Sequence, residues 1–261
     1  AIIQGGMGAA VSDWRLARAV SSAGQLGVVS GTALDLVFVR RLQMGDPGGH
    51  IRRALDAFPI PGIVDGVLDR YFIEGGKASD ARFKSKPMGQ LVPSRHLEDL
   101  LVLGNFVEVW LAKEGHANRV GINFLEKIQA PNLPSLYGAM LGGVDYVLVG
   151  AGIPRAIPGI LDNLAEGLPV EMKVDERRAT PGDATHLRFD PSEYSGGTLP
   201  PVKRPYFLAI VSSHVLATIL VRKVESSIDG FIVEAPTAGG HNAPPRENAG
   251  LTEAGEPIYG D

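Results

Sequence analysis

Three short stretches of this chain carry residue types that can do chemistry. The first is Gly5-Gly6-Met7-Gly8, where neighbouring glycines let a flat or anionic ligand lie against bare backbone. A plain tight turn between a strand and a helix uses the same residues, and both readings stand at this point. The second is Ala238-Gly239-Gly240-His241-Asn242-Ala243-Pro244-Pro245-Arg246. Its glycines permit close approach to a cofactor, and His241 belongs to the residue type that titrates near neutral pH and so suits proton transfer. A surface loop whose histidine only caps something is the alternative. The third is Asn123, inside the apolar run Gly121-Ile122-Asn123-Phe124. A carboxamide among apolar neighbours finds partners or costs about 1–3 kcal/mol, and either a ligand or a nearby loop can supply them. Glu234 ends the run Phe231-Ile232-Val233-Glu234 and raises the same question, with a solvated or paired carboxylate as the simpler answer.

Other chemistries are disfavoured. Gly6-x-Gly8 has Val11 where a dinucleotide fingerprint needs its third glycine, and no acidic residue closes the next strand. Gly150-Ala151-Gly152 has Arg155 at the corresponding place. His50, His96, His116, His186 and His214 show no metal-ligand spacing, so no metal site is assigned. The chain has no cysteine, which excludes disulfides, thiolate zinc sites and a cysteine nucleophile and suits a cytoplasmic setting. A net charge of −4 with scattered basic pairs disfavours a nucleic-acid partner. No apolar run reaches the roughly 18 residues that span a bilayer, so no membrane partner is expected.

The elements that must position these residues follow from hydrophobic periodicity. Ile2-Ile3-Gln4 reads as a strand entering the glycine turn. A helix begins near Asp13 with Ser12 as N-cap, and Leu16, Ala19, Val20 and Ala23 make its apolar stripe. Leu26 to Ser30 is a second strand. Further strands are expected at 119–125, 145–150, 206–212 and 230–234, separated by helices near 133–141, 157–164 and 214–223. Residues 33–116 read as a helical insertion, and 170–200 as a small hairpin insertion around Thr180-Pro181-Gly182-Asp183. Strands alternating with one-faced helices predict a parallel sheet covered by helices. With 44% hydrophobic residues and 261 residues in all, one α/β domain over 1–261 is the expectation. Six barrel-type strands are counted where a closed (β/α)8 barrel needs eight, so the chain reads as a barrel truncated after the sixth strand.

Together the opening Ile2-Ile3-Gln4-Gly5-Gly6-Met7-Gly8, the run Ala23-Gly24-Gln25-Leu26-Gly27-Val28-Val29-Ser30-Gly31, Val120-Gly121-Ile122-Asn123, and Phe231-Ile232-Val233-Glu234 leading into Ala238-Gly239-Gly240-His241 resemble the nitronate monooxygenase family, formerly the 2-nitropropane dioxygenases. The resemblance implies an FMN-binding TIM barrel. Gly6, Met7 and Gly8 would contact the isoalloxazine, Asn123 would hydrogen-bond it, and Ala238, Gly239 and Gly240 would pack beside it. His241 would be the catalytic histidine that manages the α-proton of a small nitronate or nitroalkane, with O2 as oxidant and a carbonyl compound and nitrite as products. An FMN-dependent enoyl-ACP reductase using NAD(P)H has a similar scaffold and is the rival reading. A non-catalytic binding module, or a homo-oligomeric one, is a third.

Overall fold

The computed structural model describes residues 2–90, 92–174, 185–224, 226–235, 238, 250–255 and 258. Among these residues seven strands form where Val, Ile and Phe recur: β1 (Gly27–Ser30), β2 (Val120–Leu125), β3 (Tyr146–Gly150), β4 (Val170–Lys173), β5 (His186–Phe189), β6 (Tyr206–Val211) and β7 (Gly230–Val233). Five of them make one sheet in the order β1-β2-β3-β6-β7, and every pairing in it is parallel. A parallel bridge from Ile3 to Leu26 extends the sheet beyond β1. The spatial order therefore follows the chain order, and the winding never reverses along the sheet.

Among the described residues, nine helices accompany these strands: α1 (Trp14–Ser22), α2 (Leu34–Gln43), α3 (His50–Leu55), α4 (Val64–Tyr71), α5 (Arg95–Lys113), α6 (Asn132–Leu141), α7 (Ile157–Ala165), α8 (Pro191–Tyr194) and α9 (His214–Lys223). The alternation of side chains along each strand sorts the sheet into two faces. Val29, Val120, Ile122, Phe124, Val147, Val149, Phe207, Ala209 and Val211 join one buried core with residues of α1, α2, α5, α6, α7 and α9. The opposite face carries Val28, Ser30, Gly121, Asn123, Leu148, Leu208, Ile210 and Ile232, none of which belongs to that core. The helices thus cover a single side of the sheet.

The expected stripes hold in most places and fail in one. Ile157, Ile160, Leu161 and Leu164 are all buried on α7, as the spacing predicts. On α1 the buried positions are instead Trp14, Ala17 and Ser21, while Leu16 is 40% exposed. Ser21 can face inward because its hydroxyl is satisfied, donating to the Arg119 carbonyl at 2.8 Å and accepting from the Gly27 N–H at 3.1 Å. The N-cap also shifts by one residue. Asp13 takes that role, accepting from the N–H groups of Arg15 and Leu16.

Within 33–116, helices α2 to α5 appear as the composition suggests, but α5 is no part of a separate lobe. It packs on α1, α2 and α6 and on β1 and β2, and Leu103, Phe106, Val107 and Leu111 are all buried. Between 170 and 200, β4 and β5 pair antiparallel with Val170 opposite Phe189, resting against α6 and α7, while Thr180-Pro181-Gly182-Asp183 lie outside the described residues.

Candidate functional site

The carboxyl ends of parallel strands, where the chain leaves the sheet, are where α/β folds place ligands. Here the turn after Ile3 folds over those ends, and two side chains, Gln4 and Ser12, hold its shape. Gln4 behaves as a substitute strand residue. Its Oε1 accepts from the Val28 N–H at 3.1 Å and its Nε2 donates to the Val28 carbonyl at 3.2 Å. Ser12, only 3% exposed, ties the far side of the turn. Its hydroxyl accepts from the Met7 N–H at 2.9 Å and donates to the Gly5 carbonyl at 3.0 Å. The Ser12 backbone carbonyl in turn accepts from the Ser30 N–H at 2.9 Å, fixing the turn to the end of β1.

Gly6 is buried at the point of closest approach. A Cβ there would lie 2.7 Å from the Val29 carbonyl oxygen and 2.8 Å from the Cβ of Asn123, so only glycine lets the turn lie flat on β1 and β2. Gly8 adopts φ +63°, the left-handed region, and completes the reversal toward α1.

Beneath and beside this turn lies a cavity of about 380 Å3. Gly5, Gly6, Met7 and Gly8 form one wall, and the helix-free face of the sheet forms the floor through Asn123, Leu125, Leu148, Gly150, Ile210 and Ile232. Glu234, Ala235 and Ala238 close the side beyond β7, and Thr32 stands at the side beyond β1. The volume and the apolar floor with a few polar groups match a small-molecule site.

Two polar side chains in this lining have no partner among the described residues. The Asn123 carboxamide faces the cavity without a hydrogen bond to any of them. Glu234 has no hydrogen bond or ion pair from its carboxylate, and burial holds its pKa above the ordinary glutamate value. Its backbone N–H is tied to the Val211 carbonyl at 2.9 Å, so the residue is held at the strand end while its acid group is left open to a ligand.

The structure therefore brings together Gly6, Met7, Gly8, Asn123 and Ala238 of the residues singled out in the sequence. Gly239, Gly240 and His241 lie outside the described residues. Sequence reasoning missed Gln4, Ser12 and Thr32, and it favoured an ordinary solvated or paired carboxylate at Glu234. Gln4 carried a signal, a long amide directly between a strand and a glycine turn. Ser12 carried a misleading one, since its cap-forming type placed it one residue too early on α1.

Among the described residues no three or more histidines or carboxylates gather closely enough to hold a metal ion. No helix among them is long and apolar enough to cross a membrane. No known protein-family model matches the chain, and no curated protein sequence matches it.

Proposed function

We propose that this chain is an FMN-dependent oxidoreductase of the nitronate monooxygenase kind, built on an arc of a (β/α) barrel. The observation that carries the reading is the cavity at the strand ends, in which the amino-terminal glycine turn, the unpaired Asn123 and the segment reaching Ala238 meet. Two features of the fold support a barrel arc over a doubly wound sheet. The strand order follows the chain without a switch point, and the helices pack on one face only.

The lining suits the ring portion of FMN. Gly6 leaves a flat space that any Cβ would fill, and the apolar floor of Leu148, Ile210 and Ile232 suits the face of a fused aromatic ring. Among the described residues no lysine or arginine lines the cavity, so the phosphate would be held outside this part of the lining. When bound, FMN supplies the two-electron acceptor that amino-acid side chains lack. The chain's own part is then binding, orientation and proton handling. Backbone at Gly6 to Gly8 buttresses the ring, the Asn123 amide hydrogen-bonds its polar edge, and the apolar floor excludes water. His241, three residues after Ala238 in the sequence, takes the α-proton when the substrate is a neutral nitroalkane, giving the nitronate that is then oxidised. The substrates are small nitronates or nitroalkanes with O2, and the products a carbonyl compound and nitrite.

The visible spectrum of the purified, FMN-supplemented protein tests the cofactor. Flavin absorbance that co-elutes with the protein is expected, and a colourless protein overturns the proposal. Anaerobic mixing then tests the reaction class. Rapid bleaching by ethyl nitronate supports the monooxygenase, whereas bleaching by NADH alone moves the assignment to an NAD(P)H-dependent enoyl reductase. His241→Ala should retain FMN and lose turnover by a factor of about 100 or more.

A further inference from the structure

A second cavity, of about 320 Å3, opens beyond the ends of β1 and β2. It shares Thr32 with the cavity described above, so the two adjoin at that residue. Their linings differ in kind. The first exposes an unpaired amide and an unpaired carboxylate; the second is walled by Leu34, Leu97, Leu101, Ile128, Ala130 and Pro131. Its acidic member, Asp35, is already neutralised by Lys86 at 2.6 Å.

Gly89 and Gln90, both exposed, complete the lining of this second cavity at the end of an irregular segment that follows α4. That segment is held down by the Asp35–Lys86 pair and by Gln43, whose Oε1 accepts from the Lys84 N–H at 2.6 Å and whose Nε2 donates to the Lys84 carbonyl at 3.1 Å. A hollow walled mainly by apolar side chains holds water poorly and hydrocarbon well.

We infer that this hollow takes the alkyl tail of the substrate, so that the physiological substrate is an amphiphile whose polar reacting head lies in the first cavity and whose unbranched tail runs past Thr32. The inference rests on the reading of the first cavity as the catalytic site. A water's share of liquid volume is about 30 Å3, close to that of a methylene, so the hollow accommodates a tail of about eight to ten carbons.

The test uses the FMN-loaded protein and two independent series. In the first, calorimetry follows binding of straight-chain alcohols from 1-butanol to 1-dodecanol. Affinity should rise about fourfold per methylene and level off beyond about ten carbons. In the second, kcat/KM is measured for nitronates from nitroethane to 1-nitrodecane, and the same rise is expected there. Ala130→Phe should cut the affinity for 1-decanol at least tenfold while leaving 1-butanol binding and nitroethane turnover unchanged. Gln90→Trp fills the hollow from its exposed side and should do the same if Ala130→Phe does not fold. Flat alcohol binding in the unmodified protein overturns the tail site, even where every nitronate is turned over. A rising alcohol series in a protein that turns over no nitronate sustains the tail site and removes the proposed reaction instead.

Discussion

The two ends of the sheet are built on opposite principles. At the amino ends of the strands, the charged groups are paired. Asp145 precedes β3, and its carboxylate accepts from Lys113 Nζ at 2.5 Å and from the Val120 N–H at 2.8 Å. Asp229 precedes β7 in the same way, taking Arg204 at 2.5 Å and the Phe207 N–H at 2.7 Å. In both cases the aspartate caps the neighbouring strand's first turn of the ladder and holds a base. Arg119 closes the floor between them, donating to the Tyr146 hydroxyl at 2.7 Å. At the carboxyl ends, Asn123 and Glu234 stand without partners among the described residues over an apolar floor. An unpaired polar group is costly, so one end of the sheet is organised for stability and the other is held ready for a ligand.

The largest test of that contrast lies at the paired end. Asp229→Ala strips a partner from both Arg204 and the Phe207 N–H, and the pairs are partly solvated, which moderates the loss. Destabilisation of about 2–3 kcal/mol is expected in urea unfolding, with kcat of the folded fraction unchanged. A fall in kcat at full folding would break the division of labour between the ends.

Gly6→Ala is expected to act next most strongly, and in the other direction. The added Cβ meets a backbone carbonyl and the Asn123 side chain at distances that real contacts do not tolerate, so the turn must lift from β1. Overpacking of this kind costs about 1–3 kcal/mol. Because the lifted turn is a wall of the cavity, FMN affinity should fall tenfold or more, measured by fluorescence quenching. Retention of full affinity would show that the turn is structural only.

Asn123→Leu sharpens the comparison further, since stability and function should separate. Removing an amide with no partner among the described residues should leave the unfolding midpoint unchanged or raise it slightly. FMN binding should weaken about tenfold. A clear loss of stability would show that Asn123 serves the fold.

How much of this was legible beforehand follows the range of the interaction involved. The strands and the later helices could be read because Val, Ile and Phe runs report local burial directly, and β6, for example, begins at the expected Tyr206. The turn at Gly5 to Gly8 was legible as a bare-backbone site because glycines without Cβ atoms announce close approach. The inward face of α1 was not, because it depends on Ser21 finding partners at Arg119 and Gly27, which only the folded chain brings near. The same holds for Gln4 and Gln43, amides that pair with distant backbone as if they were strand residues. Asp145 and Asp229 form a repeated Asp-before-strand pattern visible in the sequence. Its meaning as a cap on the adjacent strand needs the register.

The smallest expected effect concerns Glu234. Burial raises its pKa in the folded protein above the ordinary glutamate value of 4.5, so just above that pH the folded state holds a proton that the unfolded state has released. Its contribution to stability is therefore full below about pH 4.5 and declines as pH rises through the interval up to the folded pKa. Glu98, Glu108 and Asp99 are raised by burial as well, so the slope of the unmodified protein is a sum. The difference between Glu234→Gln and the unmodified protein isolates one group. The variant should lose part of the downward slope just above pH 4.5, read as urea midpoint against pH, and become slightly more stable near neutrality. Bound FMN changes the surroundings of this carboxylate, so repeating the titration with the cofactor present should alter that difference. An identical difference with and without FMN would place Glu234 outside the ligand's reach and reduce the open end of the sheet to Asn123 and the glycine turn.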